Sequence, residues 1–382
     1  MNRTRMPSWL HHHVVHRVRD WYGKFERPVS LIFLLGGFAF NVFTLTRVDR
    51  FIENLWVGMH LLIVAVCIVF INRAENEETD PVASAADPSK LHFWLVNILQ
   101  FFFGGLLSTF IVFYVRGSVI AVAWPFFMIL LVAFIANESF KKHYARTDFQ
   151  ISFFFLSTYL FLIFFVPVLF HSIGPIIFLI SGGFAIVILL IFIWILKKFT
   201  REGFKKGKDA LYTSVISIYL VVNGFYFLHI IPPLPLSIQG SGIYHSVARQ
   251  ADGNYSVTTE DSTFIARLLE YVSEYPDYHT VAGMPAYAYS AVYSPGSFDT
   301  TIIHEWQKYD SGTKKWVTAN KVVLPVIGGR DEGYRTYSVN TGLTEGRWRV
   351  NVTTPNGQLI GRMAFTVIFQ STTPSLTTEI KQ

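Results

Sequence analysis

Tyr219–Leu236 reads YLVVNGFYFLHIIPPLPL, and the chain changes character across it. Upstream, almost every long stretch is apolar; downstream, the chain is polar, alternating and rich in turn residues. Tyr219–Ile231 has the make-up of the last turns of a membrane-spanning helix. Pro232, Pro233 and Pro235 stop such a helix, because proline has no N–H to donate and its ring collides with the preceding turn. A residue ahead of proline is also driven towards extended geometry. The PPLPL segment is therefore expected to leave the bilayer as a short stiff strut.

The totals agree with this division. The chain is 51% hydrophobic and 16% aromatic over 382 residues, the make-up of a polytopic membrane protein. Through Ile230 there are 20 Lys+Arg against 13 Asp+Glu; beyond it the numbers are 12 and 13. The basic excess thus belongs to the apolar half, which points to the lipid bilayer as partner and away from nucleic acid. Cys67 is the only cysteine and falls in an apolar stretch, so an exported domain must be held by its own core. The first apolar run follows a basic leader and lacks a small-x-small cleavage site, which reads as a retained signal anchor.

Residues 1–28 form that leader. Leu10, Val14, Val18, Trp21, Tyr22 and Phe25 recur at helical spacing, as in a cytoplasmic amphipathic helix lying on the membrane. His11, His12, His13 and His16 read as interfacial polar residues, since adjacent histidines cannot all face one metal ion.

Residues 29–231 carry seven apolar stretches of spanning length: Val29–Thr46, Leu55–Ile71, Leu91–Val115, Val119–Ala136, Phe149–Phe170, Ile173–Leu196 and Ala210–Ile231. Lysine and arginine crowd the leader and every second loop. The opposite loops hold only Arg47, Arg50 and Arg116. By the positive-inside rule the N-terminus is cytoplasmic, and seven spans deliver the C-terminal part to the outside of a plasma (inner) membrane. No Asp, Glu, Lys or Arg lies near the middle of a stretch, which counts against a proton relay, pump or voltage sensor. Asn41, Asn97, Gln100 and Asn223 read as hydrogen-bonding glue between helices, and the Gly36–Gly37, Gly104–Gly105 and Gly182–Gly183 pairs as sites of close packing.

Downstream, residues 232–261 read as a proline exit and hairpin linker, with Asp252–Gly253 as the turn. Residues 262–370 read as an exported all-β, immunoglobulin-like sandwich, and residues 371–382 as a polar tail. Ser262 is placed to cap a short helix through Tyr275. From Ala286 the hydrophobic period is two, with strands at Ala286–Tyr293, Thr301–Tyr309, Lys315–Val326, Tyr334–Val339, Arg347–Thr353 and Leu359–Phe369.

Three stretches stand out: HEWQKYD at His304–Asp310, GGRDEGYRTYS at Gly328–Ser338 and GRWRVNVTTPNGQLIGRMAF at Gly346–Phe365. Together with the IPPLPL exit and the IYHSVARQADGNYSV segment, they resemble bacterial multi-pass membrane proteins with a C-terminal domain of unknown function, family 2914. The resemblance implies a membrane-anchored domain and brings no activity with it.

Gly328–Arg335 is the candidate site. Its glycines permit unusual backbone geometry and close ligand approach, and Arg330, Asp331, Tyr334 and Arg335 suit a polar or anionic ligand. His304 is a further candidate. The competing reading, which ranks just ahead, is a structural loop pinned by an Arg330–Asp331 salt bridge. His304 and Glu305 are strand neighbours and face opposite ways, so they form no acid–base pair. Trp306, Trp316 and Trp348 read as core. There is no nucleophile-elbow serine, no HExxH and no paired CxxC, and the reading leans away from an enzyme, with no cofactor and no metal.

Three functions remain in view. The first is an exported domain that binds an envelope glycan, peptide or protein partner. The second is a transporter or channel with a regulatory exported domain, which requires a polar cavity through the bundle. The third is a membrane enzyme acting on lipid-linked or cell-wall substrate. It requires the first outer loop, with Arg47, Asp49, Arg50 and Glu53, to converge with Arg116, His171 or the exported domain on one pocket.

Overall fold

The computed structural model describes residues 35–45, 47–78, 88–116, 120–137, 144, 146–199, 208–261, 273–295, 299–330 and 332–381. The leader, the helix expected after Ser262, and Asp331 lie outside these. Seven helices are described: α1 (Leu35–Thr44), α2 (Phe51–Glu78), α3 (Pro88–Arg116), α4 (Ile120–Ala136), α5 (Thr147–Phe170), α6 (Pro175–Phe199) and α7 (Lys208–Phe227). Five of them, α2, α3, α5, α6 and α7, are long and apolar enough to cross a membrane, whereas the described parts of α1 and α4 are shorter. Helices α3 and α5 are the most enclosed, and around Phe110, Tyr114, Phe155 and Phe164 the core is a mesh of aromatic rings. The outer faces carry Leu62, Trp124, Ile135, Ile191, Trp194 and Leu220, all exposed, which is what a lipid-facing surface needs.

Interior polar groups are bonded across helices. The Asn41 amide donates to Ser108 Oγ and Thr109 Oγ1 on α3 at 2.5 and 3.2 Å. Asn223 on α7 donates to the Tyr159 hydroxyl on α5 at 3.0 Å, and Asn72 on α2 to Gln150 Oε1 on α5 at 2.7 Å. Gly105 faces the His60 ring, where a Cβ would be a tight fit, and Gly182 faces the Tyr159 hydroxyl, where a Cβ would force a shift. Gly36, Gly37 and Gly183 face open space, so the packing role expected of all three pairs applies to only some of them.

Helix α7 stops four residues short of the expected Ile231, and the prolines are not its terminator. His229 adopts the left-handed conformation at φ 58°, Ile230 N–H donates to Phe225 O at 2.8 Å, and His229 N–H donates to Tyr226 O at 2.9 Å. This is a Schellman cap with histidine where glycine is usual. Helix α5 ends in the same way at His171, φ 52°, with Ser172 N–H donating to Pro167 O. The prolines then do not make an extended strut. Leu234 N–H bonds Pro232 O and Leu236 N–H bonds Pro233 O, so the segment turns, and Ile231–Ser237 is buried throughout. The reason lies in its two leucines: Leu234 packs in the helical core and Leu236 in the β core.

Eleven strands follow among the described residues: β1 (Ser237–Tyr244), β2 (Ser246–Arg249), β3 (Tyr255–Glu260), β4 (Asp277–Thr280), β5 (Ala286–Tyr293), β6 (Asp299–Asp310), β7 (Lys315–Ile327), β8 (Tyr334–Asn340), β9 (Gly346–Thr353), β10 (Leu359–Phe369) and β11 (Leu376–Lys381). They form sheets ordered β1-β5-β8, β4-β10-β9-β6-β7 and β11-β3-β2. One face of β5, with Ala286, Ala288 and Val292, packs on Trp306, Trp348, Val350 and Phe365 of the five-stranded sheet. Its other face, with Tyr289 and Ala291, meets Val247, Tyr255 and Val257 of the small sheet. Strand β5 is therefore covered on both sides, which explains why its sequence is apolar and aromatic without clean alternation.

Two expected boundaries change. The hairpin β2–β3 forms as read, with Gly253 at φ 88° in its turn. However, β1 pairs with β5 from Ser237↔Tyr293 to Tyr244↔Tyr287, so the β domain begins at Ser237 and the linker is part of it. The expected polar tail contains β11, antiparallel to β3 from Leu376↔Glu260 to Lys381↔Tyr255. It is held by backbone pairing that needs no apolar side chains.

Candidate functional site

The β domain sits on one end of the bundle through several contacts. Ile173, in the α5–α6 turn, packs against the β core. Asn356 lies against Gly174, and the Tyr226 hydroxyl of α7 bonds Gln358. His229, turned outward by its left-handed backbone, lies against Gly357. The Pro355–Asn356–Gly357 turn between β9 and β10 is thus the foot of the domain.

A further contact frames a cavity of about 530 Å³ between bundle and domain. It begins with the α1–α2 loop. Glu53, in the first turn of α2, accepts the Arg47 backbone N–H at 3.1 and 3.3 Å, and Asn54 donates to Val48 O at 2.7 Å. An acidic group is favourable at that helix end, where orphan N–H groups point outward. The loop so held aims the Arg47 guanidinium at Asp49, with Nε and Nη2 donating at 3.2 and 2.8 Å. Nη2 also donates to the Tyr293 hydroxyl of β5 at 2.7 Å, and the guanidinium stacks over that ring at 5.0 Å. Burial alone would raise the Asp49 carboxyl, but the hydrogen bonds from Arg47 and Tyr293 outweigh it and hold the group below the usual carboxylate range. Burial and the neighbouring Asp49 together push the Tyr293 hydroxyl well above the usual phenol range.

Arg50 and Arg116 complete the basic wall. Arg50 is more than half exposed, with its nearest carboxylate, Glu53, 3.9 Å away. Arg116, the last residue of α3, donates from Nη2 to Val42 O at 2.7 Å, which ties α3 to α1. Phe113, Leu234 and Ile238 supply apolar wall, and Gln239 and Ser237 of β1 supply polar atoms. Among the described residues no histidine, cysteine or carboxylate lines the cavity, although the Asp49 carboxylate stands behind it, bonded to Arg47 and Tyr293. Its arginines can hold an anion.

Of the residues expected to form a site, Arg330 and Tyr334 lie together, His304 lies in the β core, and Asp331 is outside the described residues. Arg330 is exposed and stacks on Tyr334 at 5.2 Å. Arg335 is nearly buried and pairs with Glu332 at 2.6 Å. Gly333, at φ 86°, lies so close to β5 that a Cβ would stand 2.9 Å from the Ala291 carbonyl carbon. The close approach anticipated for a ligand is thus taken by the domain's own backbone. His304 is far from solvent. Its Nε2 bonds Ser290 Oγ at 2.8 Å and its Nδ1 bonds Ser338 Oγ at 2.9 Å, while Trp306 Nε1 donates to the same Ser338 at 2.9 Å. Burial pushes the imidazole down to about 4, so it is neutral in the folded protein at ordinary pH. Glu305, on the opposite face, pairs with Lys321 at 3.1 Å.

Sequence reasoning missed a second polar surface, the outer face of the five-stranded sheet. Arg349 stacks over Trp316 at 4.2 Å and donates to Gln307 at 2.7 Å; Arg362 donates to Asn351 at 2.7 Å. Burial, and then repulsion from Arg362, lowers the Arg349 guanidinium to about 10. Trp316 belongs to this face and not to the core, unlike Trp306 and Trp348. The signal was present in the alternation of Arg347, Trp348 and Arg349. The junction cavity was half legible: Arg47, Arg50 and Arg116 stood out as the only basic residues on their side, whereas nothing singled out Tyr293 or Gln239. His171 does not line the cavity. Among the described residues no group of three or more His, Cys, Asp or Glu is placed to hold a metal ion.

No curated protein matches the chain. Among solved structures, a β-glucosidase from Listeria innocua in complex with gluconolactone aligns at 10% identity and TM-score 0.18, covering 30% of this chain and 16% of that one. The Pseudomonas fluorescens alkylpurine DNA glycosylase AlkC, bound to DNA containing an abasic site analog, aligns at 9% identity and TM-score 0.21, covering 84% of this chain and 99% of that one. Neither superposition approaches a shared fold. Residues 299–367, from the start of β6 into β10, match the family described as Protein of unknown function (DUF2914).

Proposed function

We propose that this is a non-enzymatic, multi-pass envelope protein. In this reading seven spans carry an immunoglobulin-like sandwich on the outer face of a plasma membrane, and the junction between the two parts binds an anionic envelope ligand. The observation that carries it is the meeting of the α1–α2 loop, the end of α3 and strands β1 and β5 on one arginine-bearing cavity. Such convergence was the requirement set for an enzyme at the outer face. Binding is favoured instead, because the carboxylate behind the wall, Asp49, is taken up by Arg47 and Tyr293, whereas general acid–base or nucleophilic chemistry needs such a group within reach of the ligand. A transporter is less well supported, since no residue lines both this cavity and the second one, near Asn41 and His60 in the bundle.

The reading is tested by thiol labelling in a Cys67→Ala background. Gln239 is exposed on the cavity wall, so Gln239→Cys reports on the site. In spheroplasts, an impermeant anionic thiosulfonate should modify it at least about fivefold faster than a cationic one, as a basic cavity attracts anions. Equal rates, or modification only after the cells are opened, would refute the site or the orientation.

A further inference from the structure

The junction cavity has a feature that a site for a dissolved anion would not require. The α1–α2 loop that holds its arginines is bracketed by Phe43 on one side and Phe51 and Ile52 on the other, all three among the most exposed large apolar side chains of the chain. Exposed phenylalanine and isoleucine at helix ends belong in hydrocarbon, whereas arginine belongs at the headgroup level above it. Arg47 and Arg50 therefore sit where the hydrocarbon gives way to phosphates. The cavity wall repeats this gradient, with Phe113, Leu234 and Ile238 beside Arg50, Arg116 and Gln239.

Resting on the binding role argued above, we infer that the ligand is a lipid of net negative charge bearing a phosphate. Its phosphate lies against Arg50 and Arg116, and the start of its chains lies along Phe113, Leu234 and Ile238. Guanidinium groups match phosphate geometry with paired N–H donors. Arg50 is the principal anchor, since it is exposed and only loosely paired with Glu53, whereas Arg116 already donates to Val42 O. Arg47 is a positioning residue. Asp49 already balances its charge, and its bond to Tyr293 fixes the β domain at the distance that sets the cavity width. A cavity of about 530 Å³ holds a headgroup and the first part of its chains, not a whole lipid.

The test uses the full chain in detergent, with bound lipid counted by native mass spectrometry. Phosphatidylglycerol, phosphatidylcholine and glycerol phosphate are each titrated. The wild type should hold one phosphatidylglycerol at least about tenfold more tightly than phosphatidylcholine, as charge-matched sites do. Arg50→Ala/Arg116→Ala should abolish that preference, and the lysine pair Arg50→Lys/Arg116→Lys should restore part of it. If the alanine pair fails to fold, Gln239→Glu puts a carboxylate on the exposed wall and should abolish the preference by itself. Equal retention of the two lipids, or a preference unmoved by every variant, overturns the proposal. If glycerol phosphate binds in an Arg50- and Arg116-dependent manner and phosphatidylglycerol does not, the lipid assignment falls and the anion site stands. If neither depends on these arginines, both fall.

Discussion

His304 shows how a polar side chain comes to be neutral and structural. It is fully enclosed, bonded on both ring nitrogens by serines, and held down to about 4 by burial, against an ordinary value of 6.5. Below pH 6.5 the unfolded chain takes up a proton that the folded chain refuses until about pH 4. Stability from this group is therefore complete above pH 6.5 and declines as the pH falls between those values. From about pH 7 to about pH 5 the loss should be about 2 kcal/mol. Chemical unfolding followed by tryptophan fluorescence should show this slope in the wild type and a flatter one in His304→Gln, which keeps a donor and an acceptor but does not titrate. Parallel slopes would mean that the ring is reached by solvent or charge in a way its enclosure denies. The sequence could place His304 on a strand face with Trp306. It could not say that Ser290 and Ser338, from two other strands, would complete its bonding.

At the scale of elements, apolar run length was enough to locate five helices long and apolar enough to cross a membrane, and the period of two located most strands, because burial of one face imposes that period. Three features lay beyond it. Helix ends α5 and α7 are set by left-handed histidines, a choice of backbone conformation that no glycine announced. Strand β11 carries polar residues and is held by backbone pairing with β3 and by Lys381 against Tyr244, neither of which a hydrophobic period reports. Strand β5 is covered on both faces, which erased the alternation that would have shown which sheet it joins. The glycines of the Gly328–Arg335 loop were read as permitting unusual backbone and close ligand approach; at Gly333 the close neighbour is β5. At Gly333 a methyl group would meet the Ala291 backbone at a φ that L residues rarely adopt. Gly333→Ala should therefore destabilise the β domain by about 2 kcal/mol or more, since strain and overpacking add. Thermal unfolding of the full chain checks this, and an unchanged midpoint would show that the loop can lift off β5 freely.

At the scale of the molecule, the junction cavity could not be read from the chain because its walls are so far apart in sequence: Arg47 and Tyr293 are separated by 246 positions. Spacing arguments reach one element at a time, and this site needs the α1–α2 loop, α3, β1 and β5 together. The Arg47–Tyr293–Asp49 bonds also act as a latch between the two parts. Arg47→Ala leaves Asp49, which is largely enclosed, beside a phenol with no cation. The cost should be about 1–3 kcal/mol, less than for a fully buried pair because Arg47 remains partly solvated. Hydrogen exchange should then quicken at β1 and at the end of β5, while α3 and α5 stay protected. Unchanged exchange at β1 would show that the PNG foot and Ile173 suffice to hold the domain.

Ile173 carries a consequence for how the protein is made. It is a residue of the α5–α6 turn, yet it packs into the core of a domain whose first strand begins at Ser237. The ribosome therefore delivers this piece of the core before any strand exists. Strands β1 to β11 can then be laid onto a surface that is already built. The helical bundle can serve as the assembly jig for the β domain, and biogenesis in the reverse order would begin with a gap in that core.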